Sequence, residues 1–232
     1  MNTYKQLINR HTGKNCFILG AGPSLHSNMQ TPFFKSLHRY GIVIVVNSAV
    51  LADKKFDYWV SNDSLCRNWT WWKYVKKGKG IKVVRNSWRK FKKELDGFLY
   101  FKPRPTSEDI INSDDVGLCY CCSVASSIDL SIQMSCKKIF LLGLDHKIVQ
   151  GKHHFWQFFK SPPRQLRPAQ GPWQQQKSLF PIHLQSYNAL KKFSKYKNCK
   201  IYNCNSNSNV EVFKKIKFKD VRKYILEKEL GE

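Results

Sequence analysis

The stretch Cys16-Phe17-Ile18-Leu19-Gly20-Ala21-Gly22-Pro23-Ser24-Leu25 decides the fold, because a short apolar run ends there in a turn rich in glycine. The apolar run predicts a buried strand, and helix-forming residues follow the turn. Gly20 and Gly22 permit a tight turn with no side chain in the way. Pro23 suits the first helical turn, and Ser24 can cap the helix or donate to a phosphate oxygen. The pattern is that of a phosphate-binding turn, although an ordinary strand-to-helix turn shares it.

Length and composition are those of one α/β domain. The 232 residues, 42% of them hydrophobic and 14% aromatic, are enough to bury a sizeable core, and we expect a single domain over residues 1–232. No apolar run is long enough to span a membrane, and residues 1–14 carry no apolar signal-peptide core. We therefore expect a cytoplasmic protein, of a bacterium or of an infected host cell.

Positive charge is the strongest compositional signal. The chain has 40 lysines and arginines against 16 acidic residues, which gives a formal net charge of +24. So large an excess favours a polyanionic partner, with DNA first and an anionic glycan or membrane surface second. A coding sequence biased towards lysine would produce the same excess, and that explanation stays open.

The eight cysteines indicate neither a disulfide framework nor a zinc site. Five of them lie in or beside apolar stretches, where free cysteine is a common small core residue: Cys16, Cys119, Cys121, Cys122 and Cys136. The adjacent pair at 121–122 lacks the spacing of zinc ligands, and no second pair has it.

Strands alternate with helices along the chain, which predicts a Rossmann-like α/β fold with a mostly parallel sheet and helices on both faces. The run at 42–46 is β-branched throughout, which is typical of a central strand buried on both sides. The predicted strands are 15–19, 42–46, 56–61, 81–84, 98–101 at an edge, 137–145 and 200–203. The predicted helices are 30–40, 123–134 and 184–196.

Residues 146–181 break this alternation and hold five of the nine prolines, two tryptophans and many glutamines. A loop of this length inside a compact domain usually has a function, and the aromatic residues argue against disorder. We therefore expect a lid or substrate-binding insertion over 146–181. Two short basic helices are expected at the end of the chain, within 209–232.

The order of these motifs resembles a Rossmann-like transferase superfamily, whose branches include the bacterial sialyltransferases of the Campylobacter type and the archaeal hydroxymethylpterin diphosphokinase-like proteins. After the glycine turn come Asn47-Ser48, Asn62-Asp63, Ser123 at a helix start, and Leu144-Asp145. Near the C-terminus, His183 precedes a helix and then a strand that closes on an Asn-Ser pair, which resembles the sialyltransferase branch. The resemblance covers about residues 15–65 and 119–213.

The resemblance implies a role for each strand end, because ligands bind outside the carboxyl ends of parallel strands. The glycine turn would lie under the donor's phosphate or ribose, and the absent third fingerprint glycine fits a mononucleotide-activated donor rather than NAD. His183 would be the general base that takes a proton from an acceptor hydroxyl. The implied donor-binding residues are Gly20, Gly22, Pro23, Ser24, Asn47, Asn62, Asp63, Ser123 and Asp145.

Plain structural roles compete with several of these assignments. Asn47 is able to cap the helix that follows it, and Asn62-Asp63 has the composition of an Asx turn. Asp145 ends a strand and is placed to orient the lid. These alternatives stay open at the level of the sequence.

The lid departs from the sialyltransferase pattern, in which tyrosines steady the departing phosphate, because residues 146–181 contain no tyrosine. Cationic side chains are an alternative means of neutralising that phosphate. The candidates are His153, His154, Lys160, Arg164 and Arg167. The departure puts sialic acid as the sugar in question and leaves a nucleotide-activated donor in place.

The first hypothesis is therefore a glycosyltransferase with a nucleotide-sugar co-substrate and no tightly bound cofactor, acting on a hydroxyl of an anionic polymer such as hydroxymethylated viral DNA. One alternative is a diphosphokinase of the hydroxymethylpterin type, which would need Mg²⁺ with Asp63 as a ligand; otherwise no metal site is expected. Another is a non-catalytic nucleic-acid-binding module. Its aromatic and basic surface would be Trp71, Trp72, Lys73, Lys76 and Lys77, unless these tryptophans are core residues.

Overall fold

A single parallel sheet of eight strands forms the centre of the computed structural model, which describes residues 3–104, 117–166 and 176–227. The strands are β1 (Asn15–Leu19), β2 (Ile42–Val46), β3 (Tyr58–Ser61), β4 (Ile81–Arg85), β5 (Leu99–Phe101), β6 (Pro103–Arg104), β7 (Leu118–Cys119), β8 (Lys138–Leu142), β9 (Lys200–Asn203) and β10 (Lys214–Lys215). The sheet order is β10-β9-β8-β1-β2-β3-β4-β5, while β6 and β7 pair only with each other.

Strand β1 lies at the point where the strand order reverses. Its first neighbour is β2, with Cys16 opposite Ile42, and its second is β8, with Cys16 opposite Ile139. The chain runs outwards from β1 to β5 and then returns to the other side of β1 with β8. In open parallel sheets, ligands bind in the crevice outside the carboxyl ends of the two strands at such a point. The turns that follow β1 and β8 are therefore the first place to look for a site.

Helices cover both faces of the sheet, so the predicted fold class is confirmed. The α-helices are α1 (Ser24–Met29), α2 (Trp72–Lys77), α3 (Ser123–Gln133), α4 (Gln176–Tyr196) and α5 (Val221–Leu226). Because successive strand residues point to opposite faces, Cys16 and Ile18 pack with α3 and α4, whereas Phe17 and Leu19 pack with α1, α2 and α5. Among the described residues, no helix is both long and apolar enough to cross a membrane.

Short 3-10 helices fill many of the connections, and two of them, Asn47–Leu51 and Asn86–Glu94, follow a strand directly. They are Tyr4–Leu7, Phe34–Arg39, Asn47–Leu51, Ser64–Asn68, Asn86–Glu94, Phe155–Phe158 and Phe218–Asp220. The sequence pattern did not separate these tight turns from α-helix. The predicted helix over 30–40 is accordingly wrong: α1 ends before it, Pro32 disfavours helix at the residue before it, and a 3-10 helix occupies 34–39.

The last two predicted helical regions also need correction. Helix α4 begins at Gln176 rather than at 184, and Pro181 lies in its second turn, where a missing N–H removes only one intrahelical bond. The region 209–232 is not purely helical, because Lys214 and Lys215 pair in parallel with β9 before α5 begins.

Trp71 and Trp72 belong to the core, which corrects the prediction that they form a nucleic-acid surface. Their exposed fractions are 3% and 8%. The Trp72 ring lies 5.7 Å from that of Trp59 and 6.0 Å from that of Trp88, so its faces are used in packing and are closed to a base. The neighbouring lysines are exposed, and their role stays a prediction: Lys73, Lys76 and Lys77.

Candidate active site

The glycine turn after β1 is packed against the turn after β8. The Gly20 N–H donates to the Leu142 carbonyl at 2.7 Å, and the Gly22 N–H donates to the Gly143 carbonyl at 2.9 Å. A Cβ atom on Gly22 would lie 2.6 Å from that Gly143 oxygen, closer than any real contact. The glycines are therefore required because two backbone turns approach each other, and their N–H groups are already used.

Asp145 closes the same turn from the side of β8. Its carboxylate accepts from the Ser24 backbone N–H at 2.7 Å and from the Ser24 hydroxyl at 2.6 Å. The Asn205 side-chain amide donates to it as well, at 2.6 Å, and only 1% of Asp145 is exposed. A carboxylate that caps α1 in this way occupies the position that an anion would take.

The predicted phosphate cradle therefore needs correction. The Gly20, Gly22 and Ser24 donors are bonded within the protein, Pro23 has no N–H to offer, and a phosphate would meet the Asp145 carboxylate. Asp145 ties together the loops after β1, β8 and β9, a structural role that differs from the lid-orienting role considered from the sequence.

Asn62 and Ser123, both predicted to touch the nucleotide, are bonded to each other. The Asn62 N–H donates to Ser123 Oγ at 2.9 Å. The Asn62 side chain donates to the Tyr120 carbonyl and accepts from the Ser126 hydroxyl, each at 3.0 Å. Asn62 thereby fixes the loop that leads into α3. Its neighbour Asp63 accepts from the Leu65 N–H at 2.8 Å, so the Asx-turn alternative is confirmed.

Asn47 remains the best placed of the predicted nucleotide ligands. Its φ of +50° puts it in the left-handed region, and its carbonyl accepts from the Trp59 indole N–H at 3.0 Å. Its Oδ1 atom is shielded from solvent and has no hydrogen-bonding partner in the described part of the chain. An unpaired acceptor after a central strand is where a ligand's donor would restore a hydrogen bond.

His183 belongs to a cluster that the sequence did not reveal as a unit. Its ring lies 5.3 Å from that of His146, which follows β8, and 6.5 Å from that of Tyr187, one turn later on α4. The Tyr187 hydroxyl bonds to His146 Nε2 at 3.1 Å and to the Cys122 sulfur at 3.4 Å. The Nδ1 atom of His183 is shielded and has no partner among the described residues.

The protonation states of this cluster follow from burial. Desolvation, assisted by the nearby His183, lowers the pKa of His146 to about 4, so its imidazole is neutral at pH 7. Desolvation raises the pKa of Tyr187 well above its ordinary value, so the phenol keeps its proton and can donate it. The neighbouring Cys121 lowers the pKa of the Cys122 thiol, and His183 and Tyr187 act in the same direction, while burial opposes them.

A buried ion pair positions the chain that carries Cys122. Arg104 on β6 donates through Nη2 to both oxygens of Asp129 on α3, at 2.8 and 2.7 Å. The same carboxylate accepts from the Cys119 N–H at 2.7 Å. The short ribbon β6–β7 is thus fixed to α3 immediately before Cys121, Cys122 and the helix N-terminus.

Simple signals could have found the missed residues. His146 directly follows Asp145 at a strand end, Tyr187 stands four residues after His183 on a helix, and Cys122 immediately precedes Ser123. The spacing of four places two side chains on one helix face. What the sequence could not supply is that β8, α3 and α4 meet at this one point.

The first part of the predicted lid is fastened over the turn after β1. The Phe155 N–H donates to the Ala21 carbonyl at 3.1 Å, and the Phe158 ring stacks on His26 of α1 at 4.9 Å. Further along, the Thr70 N–H donates to the Arg164 carbonyl at 3.0 Å. Residues 146–166 therefore span from the turn after β1 to the loop after β3, across the carboxyl edge of the sheet.

The cationic residues predicted in the lid do not form one group. The His154 ring stacks on Trp156 at 5.3 Å, and burial lowers its pKa, so it is not the cation that was predicted. His153, Lys160 and Arg164 are exposed, and their contact with a leaving phosphate stays a prediction. Arg167 lies outside the described residues.

Metal ligands do not come together in the described ranges: no three His, Cys, Asp or Glu side chains there are close enough to hold an ion. Asp63 as a magnesium ligand stays a prediction.

No protein-family model and no curated protein matches this chain. Among solved structures, it is similar to the sialyltransferase CstII from Campylobacter jejuni in complex with cytidine-5'-monophosphate, with a TM-score of 0.48 and 14% identity over 88% of this chain and 85% of that one. A mutant of that enzyme is similar with a TM-score of 0.49 and 17% identity, over 88% of this chain and 86% of that one. The same enzyme in complex with a trisaccharide acceptor and CMP is similar with a TM-score of 0.46 and 15% identity, over 87% of this chain and 85% of that one.

These likenesses are to a sialyltransferase of the branch that the motifs resemble, and they extend over most of the chain. The likeness to the hydroxymethylpterin diphosphokinases stays a prediction.

Proposed function

We propose that this protein is a transferase that moves a group, in our proposal a sugar, from a nucleotide-activated donor to a hydroxyl of an acceptor. The observation that carries the proposal is the unpaired, shielded Nδ1 of His183 beside a neutral His146 and a protonated Tyr187. This cluster includes the turn after β8, at the point where the strand order of the sheet reverses.

In the proposed step, His183 takes the proton of the acceptor hydroxyl as that oxygen bonds to the transferred carbon. The bond between this carbon and the donor's phosphate oxygen breaks, and its electron pair leaves with the nucleotide. Tyr187 keeps its proton and so holds the cluster together as a hydrogen-bond donor. The exposed lid cations Lys160 and Arg164 are the candidates to neutralise the leaving phosphate.

The donor is bound, in this proposal, on the carboxyl edge of the sheet rather than in the glycine turn. Asn47 Oδ1 is one protein acceptor still to be satisfied there, as is Asn86 Oδ1 directly after β4, and a nucleotide's amino or hydroxyl group is a suitable partner. No tightly bound cofactor is needed for this chemistry. A magnesium ion carried by the donor's phosphates is compatible with it.

The acceptor is, in this proposal, part of an anionic polymer, with DNA bearing hydroxymethylated bases favoured over an anionic glycan. Support comes from the net charge of +24 and from a cleft of about 700 Å³ that five lysines line together with α4, β9 and β10. These lysines are Lys191, Lys195, Lys200, Lys214 and Lys215. Lys191 stands eight residues after His183 on the same helix, which is about 12 Å along its axis.

The first test is thermal stabilisation by CMP, UDP, GDP, ATP and their sugars, each with and without Mg²⁺. A ligand that binds the folded state raises the melting temperature by mass action. Stabilisation by one nucleotide sugar supports the proposal, and stabilisation by ATP and Mg²⁺ alone favours the diphosphokinase. No response to any nucleotide would overturn both.

The second test is transfer itself. The stabilising donor is incubated with hydroxymethylated DNA, with unmodified DNA and with an anionic glycan. Mass spectrometry then shows which acceptor has gained the mass of the transferred group. His183→Ala should lose turnover by about 10²-fold or more, as expected for a general base. His38→Gln is the matched control, because His38 pairs with Asp53 and Asp57 away from the cluster. Equal loss in both variants would contradict the role of His183.

A further inference from the structure

Two of the eight cysteines differ from the rest in exposure. Six are buried, whereas Cys121 and Cys122 are half-buried and adjacent. They follow Tyr120, of which 42% is exposed, and they lead directly into the eleven-residue helix α3. A reagent in solution therefore has a route to this pair that the buried cysteines lack.

The surroundings of Cys122 favour its thiolate. Its sulfur accepts from the Ala125 N–H at 3.4 Å, in the first turn of α3, and lies 3.4 Å from the Tyr187 hydroxyl. Helix N-termini and hydrogen-bond donors stabilise a thiolate, and a nearby imidazole such as His183 does so when protonated. The neighbouring Cys121 lowers the pKa of Cys122 against the opposing effect of burial, whereas Cys119, Cys122 and burial raise the pKa of Cys121, so within this pair the thiolate is favoured on Cys122.

The buried cysteines have the opposite character. Burial raises the pKa of Cys66, Cys199 and Cys204, and a protonated, shielded thiol is a poor nucleophile. The contrast within one chain means that reactivity with an electrophile should be confined to a single position.

We propose that Cys122 is the reactive thiol of this protein and a site of thiol–disulfide exchange with small disulfides such as oxidised glutathione. The Cys122 thiolate attacks one sulfur of the reagent, a new S–S bond forms, the old S–S bond breaks, and glutathione leaves as the thiolate. The attached tripeptide would then stand beside Tyr187 and His183. Its effect on turnover rests on the proposed function, whereas the reactivity of Cys122 does not.

The test begins with limiting iodoacetamide on the native full-length chain, followed by peptide mass spectrometry. Cys122 should be alkylated at least about tenfold faster than any other cysteine, with a rate that levels off at a lower pH than for an ordinary thiol. Faster labelling elsewhere, or a rate at Cys122 that follows ordinary thiol titration, would overturn the proposal.

In the final experiment, the native protein is treated with oxidised glutathione. We expect one glutathione per chain, on Cys122, that dithiothreitol removes. A transferase assay before and after this treatment should show reversible loss of turnover. If Cys122 carries glutathione and turnover is unchanged, the blocking effect is overturned and the reactivity of Cys122 stands. If the untreated protein shows no turnover but Cys122 is still modified, the proposed function fails and the assignment of the thiol stands.

Discussion

The Asp145 carboxylate holds Ser24 through two hydrogen bonds, 2.7 Å from its backbone nitrogen and 2.6 Å from its hydroxyl. Ser24 begins α1 after the turn that follows β1, and Asp145 lies after the neighbouring strand β8, 121 positions later in the chain. This pairing joins the turn after β1 to the turn after β8, which leads into His146. It therefore supports the candidate active site without itself contacting a substrate in our proposal.

Asp145→Asn should destabilise the fold, since an amide cannot accept all three of the hydrogen bonds that the carboxylate receives. Loss of a buried charged acceptor costs about 2–3 kcal/mol of unfolding free energy. Urea unfolding at pH 7 measures the difference. Asp96→Asn, a change at an exposed aspartate, is the control and should be nearly neutral. Equal stability of the two variants would contradict the role given to Asp145.

His146 should make stability depend on pH. Its pKa is about 4 in the folded protein, below the ordinary value of 6.5, because burial disfavours its charged form. Between these two values unfolding takes up a proton, so stability is full above pH 6.5 and falls as the pH drops towards 4. The loss attributable to this group is about 3 kcal/mol.

His146→Asn tests this directly, because asparagine accepts the left-handed backbone at this position, where φ is +48°. The variant's unfolding free energy should decline less than that of the native protein between pH 6.5 and 4. His11 and His154, whose pKa values burial also lowers, contribute equally to both proteins. Parallel pH profiles would show that His146 is not the group responsible.

Most of the sheet was predictable because its central strands are runs of apolar residues with clear ends, whereas the edge strand Lys214–Lys215 has no apolar residue and was missed. Residues 15–19, 42–46 and 200–203 are strands at the predicted bounds. Short runs rich in β-branched and aromatic side chains favour strands that are buried on both faces of a sheet. The connections were less predictable. A 3-10 helix such as Phe34–Arg39 has almost the composition of an α-helix, and its tighter turn is decided by packing against the sheet.

The places of the candidate site residues in the fold were predictable, but their bonds were not. The resemblance implied functional roles for His183, Asn62, Ser123 and Asp145, and those roles stay predictions. The sequence could not show that Asp145 satisfies Ser24, or that Asn62 bonds to Ser123, because these partners are 121 and 61 residues apart. The Trp71 and Trp72 pair was ambiguous for the same reason: aromatic residues among lysines look alike whether they pack inwards or outwards.

Tyr187→Phe should loosen the cluster with little change to its packing. The hydroxyl that bonds to His146 and to Cys122 is lost, while the ring keeps its buried position. We expect a loss of about 1 kcal/mol in unfolding free energy and slower alkylation of Cys122, since one donor to its sulfur is gone. Tyr196→Phe, at an exposed tyrosine on the same helix, should change neither quantity. An unchanged rate at Cys122 in Tyr187→Phe would contradict the contact.

The cleft lined by Lys191, Lys195, Lys200, Lys214 and Lys215 should bind a polyanion. Its contribution to binding can be separated from that of the net charge of the chain. Lys191→Gln with Lys195→Gln removes two charges from the cleft, whereas Lys54→Gln with Lys55→Gln removes two from the exposed turn before β3. If the cleft lysines contact phosphates, the slope of log affinity for DNA against log salt should fall by about 2 in the first variant. The second should keep the native slope. Equal weakening in both would mean that DNA responds only to the overall charge of the chain, and a native slope in both would remove the cleft from the proposed acceptor path.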